Sequence, residues 1–185
     1  MKSRKQFPQF LNSHNLCGEG VEIGVQCGNF SAYILTHWNG KKLYSIDPWK
    51  HQDDKMALLD ISNEEQNIHE SNYRKTLVNL QPFGARSEII REFSISAAKR
   101  FQDNSLDFVY IDARHDYRSV QSDLAAWYPK IMVGGILAGH DYKDSFVRNN
   151  LVEVKRAVTH FSLIHTLTVN ETTEDNLPSW YIFKP

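Results

Sequence analysis

The sequence predicts an α/β domain in which a mainly parallel sheet is covered by helices on both faces. Three observations predict it. Short apolar runs alternate with amphipathic stretches of helix length from near the start of the chain, and such alternation demands the crossover connections that join parallel strands. Acidic residues stand at the carboxyl ends of several apolar runs, where open parallel sheets hold their ligands. The last two apolar runs have no helix between them, so they pair as an antiparallel hairpin at the end of the chain.

The elements follow in order. Residues 4–16 read as a short helix with Phe7, Phe10 and Leu11 on one face. GVEIGV (20–25) is the first strand, and residues 29–38 are a helix with Phe30, Ile34 and Trp38 on one side. KLYSID (42–47) is the second strand, stopped by Pro48. Residues 49–63 are polar and irregular. Asn63 followed by Gln66 gives a capped start to a helix ending near Pro82 and Gly84. SEIIRE (87–92) is the third strand, and residues 95–102 are helical. LDFVYID (106–112), almost wholly apolar until its final acid, is the strongest strand. Asp116–Trp127 is an amphipathic helix carrying Val120, Leu124 and Trp127 on its core face. Gly134 and Gly135 separate it from the fifth strand, GILAGHD (135–141). Residues 150–161 read as helix, and LIHTLTV (163–169) with SWYIF (179–183) as the closing hairpin. The expectation is one domain over residues 1–185, with 1–17 as a helical preface to a seven-stranded sheet.

Composition narrows the function classes. The 185 residues are 41% hydrophobic and 23% charged, with a net charge of −1. A balanced charge lacks the basic stripe that nucleic-acid binding needs. Nothing is long and apolar enough to span a membrane, and the basic N-terminus lacks the apolar core of a secretion signal. Cys17 and Cys27 fit neither a zinc nor a disulfide framework and read as reduced thiols. A cytoplasmic protein with a small-molecule partner is expected.

The chemistry gathers at the strand ends. The first strand runs into Glu22-Ile23-Gly24-Val25-Gln26-Cys27-Gly28, where Gly24 and Gly28 let the backbone turn tightly beside a ligand. This segment resembles the first motif of class I S-adenosylmethionine-dependent methyltransferases, acid-x-Gly-x-Gly-x-Gly, with Gln26 in place of the middle glycine. The resemblance implies a Rossmann-like methyltransferase sheet, S-adenosylmethionine as cofactor, and Glu22 facing its methionine part. Gln26 and Asn29 depart from the dinucleotide pattern G-x-G-x-x-G and count against NAD. Asp47 ends the second strand, 25 residues after Glu22, and can accept hydrogen bonds from two ribose hydroxyls. Trp49 beside it covers the cofactor or caps the core. By the same resemblance, Phe93 and Ser94 lie beside adenine, and Asp112 belongs to the cofactor site.

The fourth and fifth strands end in Asp112-Ala113-Arg114-His115 and Gly139-His140-Asp141. Burying unpaired acids and histidines is costly, so their appearance on two neighbouring strands points to a site. Adjacent parallel strands lie about 4.8 Å apart, which lets Asp112 and Asp141 converge. Paired carboxylates suit a hard divalent cation: Mg²⁺, or alternatively Mn²⁺ or Ca²⁺. The pair looks like that of the metal-assisted O-methyltransferases, including the macrocin-type sugar O-methyltransferases. That resemblance places the cation on Asp112, His140 and Asp141, and the general base on His115. Histidine suits the base because its ordinary pKa lies near operating pH. Tyr117, Tyr142 and His51 are further candidates for the acceptor pocket. The implied reaction is O-methylation of a small molecule or glycan, with a second protomer or another partner completing the acceptor wall. Two alternatives stay open: a methyltransferase without metal, and an inactive cofactor-binding or interaction protein.

Overall fold

The computed structural model describes residues 1–147, 149–174 and 177–185. Its sheet strands are β1 (Glu19–Ile23), β2 (Lys42–Ile46), β3 (Ser87–Ile90), β4 (Leu106–Ile111), β5 (Ile131–Gly139), β8 (Asn170–Glu171) and β9 (Trp180–Phe183). They form one seven-stranded sheet in the order β3-β2-β1-β4-β5-β9-β8. The first five are parallel, and β9 runs antiparallel between β5 and β8. A separate hairpin pairs β6 (Asp144–Val147) with β7 (Asn150–Glu153).

Among the described residues, six α-helices accompany the strands: α1 (Phe7–Ser13), α2 (Asn29–His37), α3 (Gln66–Leu80), α4 (Ser94–Ala98), α5 (Tyr117–Trp127) and α6 (Val154–Ile164). The two-residue alternation of β4 explains the layering. Val109 and Ile111 join one buried cluster with Val120, Leu124 and Trp127 of α5. Phe108 and Tyr110 join another with Phe7 and Leu11 of α1 and Ile34 of α2. Every residue of β4 is buried, as a central parallel strand requires. Chain order reverses at β1 and β4: β2 and β3 lie to one side, β5 to the other. The crevice above this switch point is where an open sheet binds its ligand.

Four boundaries differ from those expected. Helix α3 starts at Gln66 with Glu65 before it, and Asn63 is not its cap. The Asn63 side chain instead pairs with the backbone of Gln52 in both directions, at 2.9 and 2.8 Å. Strand β5 begins at Ile131 and runs through Gly134. Gly134 takes a left-handed conformation (φ 80°), and its N–H bonds Lys184 next to β9, so a register shift replaces the expected break. Residues 150–153 are strand rather than helix, because β6 lies alongside to accept their ladder. Residues 163–169 are not a strand. The apolar stripe Val154, Ala157, Val158 and Phe161 carries α6 to Ile164, and Asn170–Glu171 alone pair with β9.

Candidate functional site

A cavity of about 570 Å³ opens above the carboxyl ends of β1, β2 and β4. Its floor is the turn after β1. Gly24 (φ 85°) packs so closely on the end of β4 that a Cβ there would stand 1.9 Å from the carbonyl oxygen of Asp112. Gly28 (φ 76°) caps the start of α2 against Thr76 and does not line the cavity. Gln26, standing at the middle position of the motif, itself adopts a left-handed φ of 52°. Its N–H donates to Asp47 at 3.1 Å, and its carbonyl accepts from the Trp49 indole at 2.7 Å and the Thr76 hydroxyl at 3.0 Å. These three partners hold a non-glycine residue in a conformation that costs it about 1–2 kcal/mol.

Asp47 lines the cavity and also organises it. One oxygen accepts from the N–H groups of Val25 and Gln26, and the other from Trp49. Burial raises its pKa in spite of these bonds. Trp49 is not a wall of the cavity. It is wholly buried, tilted against Tyr73 at 4.8 Å, and pins the β1 turn from behind. Its apolar bulk and single N–H are both satisfied there, which leaves Asp47 as the residue of this pair that faces the cavity. Glu22 is buried on the floor, bonded to the Ser31 hydroxyl. Burial, with the charges of Asp112 and Asp47, pushes its carboxyl up to about 8.

At the other end Phe93 is 42% exposed on the cavity wall and offers a flat apolar face. Ser94 donates to Asp123 of α5 and accepts from the Trp127 indole at 2.9 Å. Asp123 also lines the cavity, and burial raises its carboxyl to about 7. It was not among the expected residues, because from sequence it reads as an ordinary acid on an exposed helix face.

The strand-four and strand-five motifs meet around His115. Ligand atoms of Asp112, His115 and Asp141 lie within 4.8 Å of one another. His115 Nε2 is 2.8 Å from Asp141 and 3.9 Å from Asp112. Despite this proximity, Nε2 has no hydrogen-bond partner. Nδ1 lies 3.0 Å from Asp60, whose same oxygen accepts the His115 backbone N–H at 3.0 Å. Burial opposes charge on the ring, but the carboxylates of Asp112, Asp141 and Asp60 outweigh it and hold the pKa well above the ordinary histidine range. Asp60 falls to about 2: burial pushes it up, and the His115 bond and charge more than reverse this.

His140 falls outside this group. Strand β5 ends at Gly139, the backbone turns left-handed at Asp141 (φ 54°), and Asp141 supplies the carboxylate that meets His115. His140 instead touches the other oxygen of Asp141 at 2.9 Å. The side chains that cluster are thus Asp112, His115 and Asp141, whereas the expected trio was Asp112, His140 and Asp141. Tyr117, Tyr142 and His51 also lie off the cavity wall. The Tyr117 hydroxyl pairs with His160, and that of Tyr142 lies 3.2 Å from Thr159 of α6. The 49–63 segment supplies other wall residues, including Gln52, Asp60 and Asn63. Arg4, from the turn before α1, lines the cavity beside Asp112. Neither Asp60 nor Arg4 carried a motif that the sequence could reveal.

A family model described as a methyltransferase domain matches residues 21–142, from within β1 to just past β5. The chain belongs to this methyltransferase family. Among its relatives, the uncharacterized protein y4gI of Sinorhizobium fredii is 28% identical over 125 residues, covering 65% of this chain and 13% of that protein. The uncharacterized protein R132 of Acanthamoeba polyphaga mimivirus is 27% identical over 128 residues, covering 67% of this chain and 51% of that protein. The chain thus spans at most about half the length of these two relatives. The structure of an O-methyltransferase family protein from Burkholderia thailandensis superposes with a TM-score of 0.67 at 12% identity, over 97% of this chain and 55% of that one. The methyltransferase fold here is the class I, S-adenosylmethionine-dependent form. The matched span includes every cavity residue from Glu22 to Asp123, and Asp141 beside the cavity, but not Arg4. No helix among the described residues is long and apolar enough to cross a membrane.

Proposed function

We propose that this methyltransferase domain methylates a hydroxyl oxygen of a small polar acceptor, such as a sugar, with His115 handling the acceptor proton. The observation that carries the proposal is the fixed imidazole at the cavity wall, Nδ1 held by Asp60 and Nε2 turned toward Asp112 and Asp141.

S-adenosylmethionine, when bound, supplies an electrophilic methyl carbon on a sulfonium. The cavity volume suits a ligand of that size. Glu22 and Asp112 offer carboxyls to a cationic amino-acid end, Asp47 an acceptor to ribose, and Phe93 a flat face to the base. The remaining wall, from Gln52 to Asn63, is mostly polar and suits a hydroxylated acceptor. Holding the acceptor oxygen in line with the methyl carbon is the larger part of the catalysis. His115 Nε2 would take the proton of that oxygen as the cofactor supplies its methyl group. The ring must be neutral at that moment, which the three surrounding carboxylates oppose. A divalent cation on Asp112 and Asp141, when bound, supplies charge that lowers the pKa of an acceptor hydroxyl and favours the neutral ring. The orphaned buried Oδ1 of Asp141 suits such an ion, and the orphaned Nε2 of His115 is left for the proton.

A second reading makes His115 itself a ligand of the cation. It is favoured by the clustering of Asp112, His115 and Asp141 and by Asp60 on Nδ1, since metal-bound histidines usually donate their other N–H to a carboxylate.

Two measurements test these readings. S-adenosylhomocysteine at 100 times its Kd should stabilise the domain by about 2.7 kcal/mol and NAD should not; absence of the first effect sinks the cofactor assignment. Calorimetric Mn²⁺ titration then separates the roles of His115. H115Q retains Mn²⁺ affinity if His115 is the base, and loses it if His115 is a ligand. No Mn²⁺ binding by the wild type removes the cation from both readings.

A further inference from the structure

Arg4 belongs to a segment outside the matched family span, yet its guanidinium lies in the cavity. Several contacts put it there. Phe7 and Leu11 of α1 are wholly buried against the sheet, which anchors the turn at Arg4–Gln6. The Arg4 N–H donates to Glu174 at 3.1 Å, and the Tyr33 hydroxyl donates to the Lys5 carbonyl at 3.0 Å. Glu174 is held in turn by the Thr172 hydroxyl at 3.0 Å. The side chain then crosses the Phe30 ring, 5.1 Å from its centroid, and one terminal nitrogen reaches Asp112 at 3.1 Å.

Lys50 and Arg118 also stand on the cavity wall, but Arg4 is the arginine bonded to Asp112 at this end. Glu22 and Asp112 supply acidic groups to receive an ammonium. An amino-acid ligand also carries a carboxylate, which needs a cation. Arg114 is spent on Asp54, Asp116 and Gln52. His115 is enclosed by Asp60, Asp112 and Asp141. Arg4 uses one of its five N–H donors on Asp112, and its planar fork can take a carboxylate with the others.

We propose that Arg4 binds the carboxylate of the amino-acid end of the cofactor, so that the segment before α1 forms one wall of the cofactor site. This rests on the cofactor reading above, and the test separates the two. S-adenosylhomocysteine carries the carboxylate, whereas 5′-methylthioadenosine shares the adenosine and sulfur but lacks the amino acid. Calorimetric Kd values for both are compared in the wild type, R4M and R4K. R4M keeps an apolar stem on Phe30 and removes the fork. The expected result is a loss of about 10- to 100-fold in S-adenosylhomocysteine affinity for R4M, with 5′-methylthioadenosine affinity unchanged and R4K intermediate. Equal losses for both ligands would mean that Arg4 only shapes the pocket, and unchanged affinity for both that it only pairs with Asp112; either overturns the proposal. If the wild type binds neither compound, the cofactor reading itself falls. Melting temperatures within a few degrees across the three proteins confirm that R4M is folded; if R4M unfolds, R4K against the wild type carries the same ligand comparison.

Discussion

Asp60 and His115 are joined twice through one carboxylate oxygen, which accepts both the backbone N–H and the ring Nδ1 of the histidine at 3.0 Å each. This fixes the tautomer and the direction of the ring, and leaves Nε2 as the atom presented to Asp112 and Asp141. It also ties the irregular 49–63 segment to the end of β4. Replacing Asp60 by alanine orphans two buried donors, which should cost about 1–3 kcal/mol each before relaxation. Denaturant unfolding should show D60A destabilised, while D60N, which keeps an acceptor oxygen, loses less. A D60A midpoint equal to the wild type would remove the anchoring role.

Asp123 makes stability depend on pH in a definite direction. Burial raises its carboxyl from 3.8 to about 7 in the folded protein. The folded state therefore binds the proton more tightly than the unfolded state. The associated stability is full below about pH 4, is lost as the pH rises through about 7, and stays lost above that. D123N keeps an oxygen to accept from Ser94 and removes the charge. It should stabilise the protein by about 2–4 kcal/mol at pH 8 and by much less at pH 4. A pH-independent difference between the two proteins would contradict this assignment.

Glu22 couples ligand binding to protons. With its carboxyl near 8, it is largely protonated at pH 7 in the free protein. A ligand ammonium nearby favours the ionised form. S-adenosylhomocysteine should therefore bind more tightly as pH rises from 6 to 8 and release protons at pH 7. Calorimetry in buffers of different ionisation enthalpy counts them. E22Q should bind without this release; if it releases as many protons as the wild type, another group is responsible.

Gly24 and Gly134 make a matched pair of substitutions. Both have positive φ, 85° and 80°. A Cβ at Gly24 meets the Asp112 carbonyl at 1.9 Å, whereas one at Gly134 meets nothing within 4 Å. G134A should cost about 1–2 kcal/mol from backbone conformation alone. G24A adds a backbone clash and should cost at least about 3 kcal/mol more, or prevent folding. Similar melting temperatures for the two variants would show that the close approach at β4 can relax.

Most of the sheet was legible because its signals are local. Short apolar runs ending in glycine or an acid marked β1, β2 and β4, and the helices between them made those strands parallel. The acids Glu22, Asp47 and Asp112 were placed by their position at strand ends, which topology turns toward one crevice. What failed depended on partners distant in sequence. Residues 150–153 became strand because β6 lies alongside them, and 163–164 stayed helical because α6 continued to its last turn.

The sequence by itself determined the alternating α/β order, the family motif with Gln26 in place of glycine, and the choice of His115 and Asp141 as chemical candidates. The tertiary structure alone decided which of them meet. It brought the Asp141 carboxylate, and not His140, to His115 where the backbone turns left-handed after β5. It also brought Asp60 from an irregular segment and Arg4 from the N-terminal turn, 55 and 108 residues from their partners. Such pairings follow from backbone direction and packing in three dimensions, and no local pattern of residues encodes them.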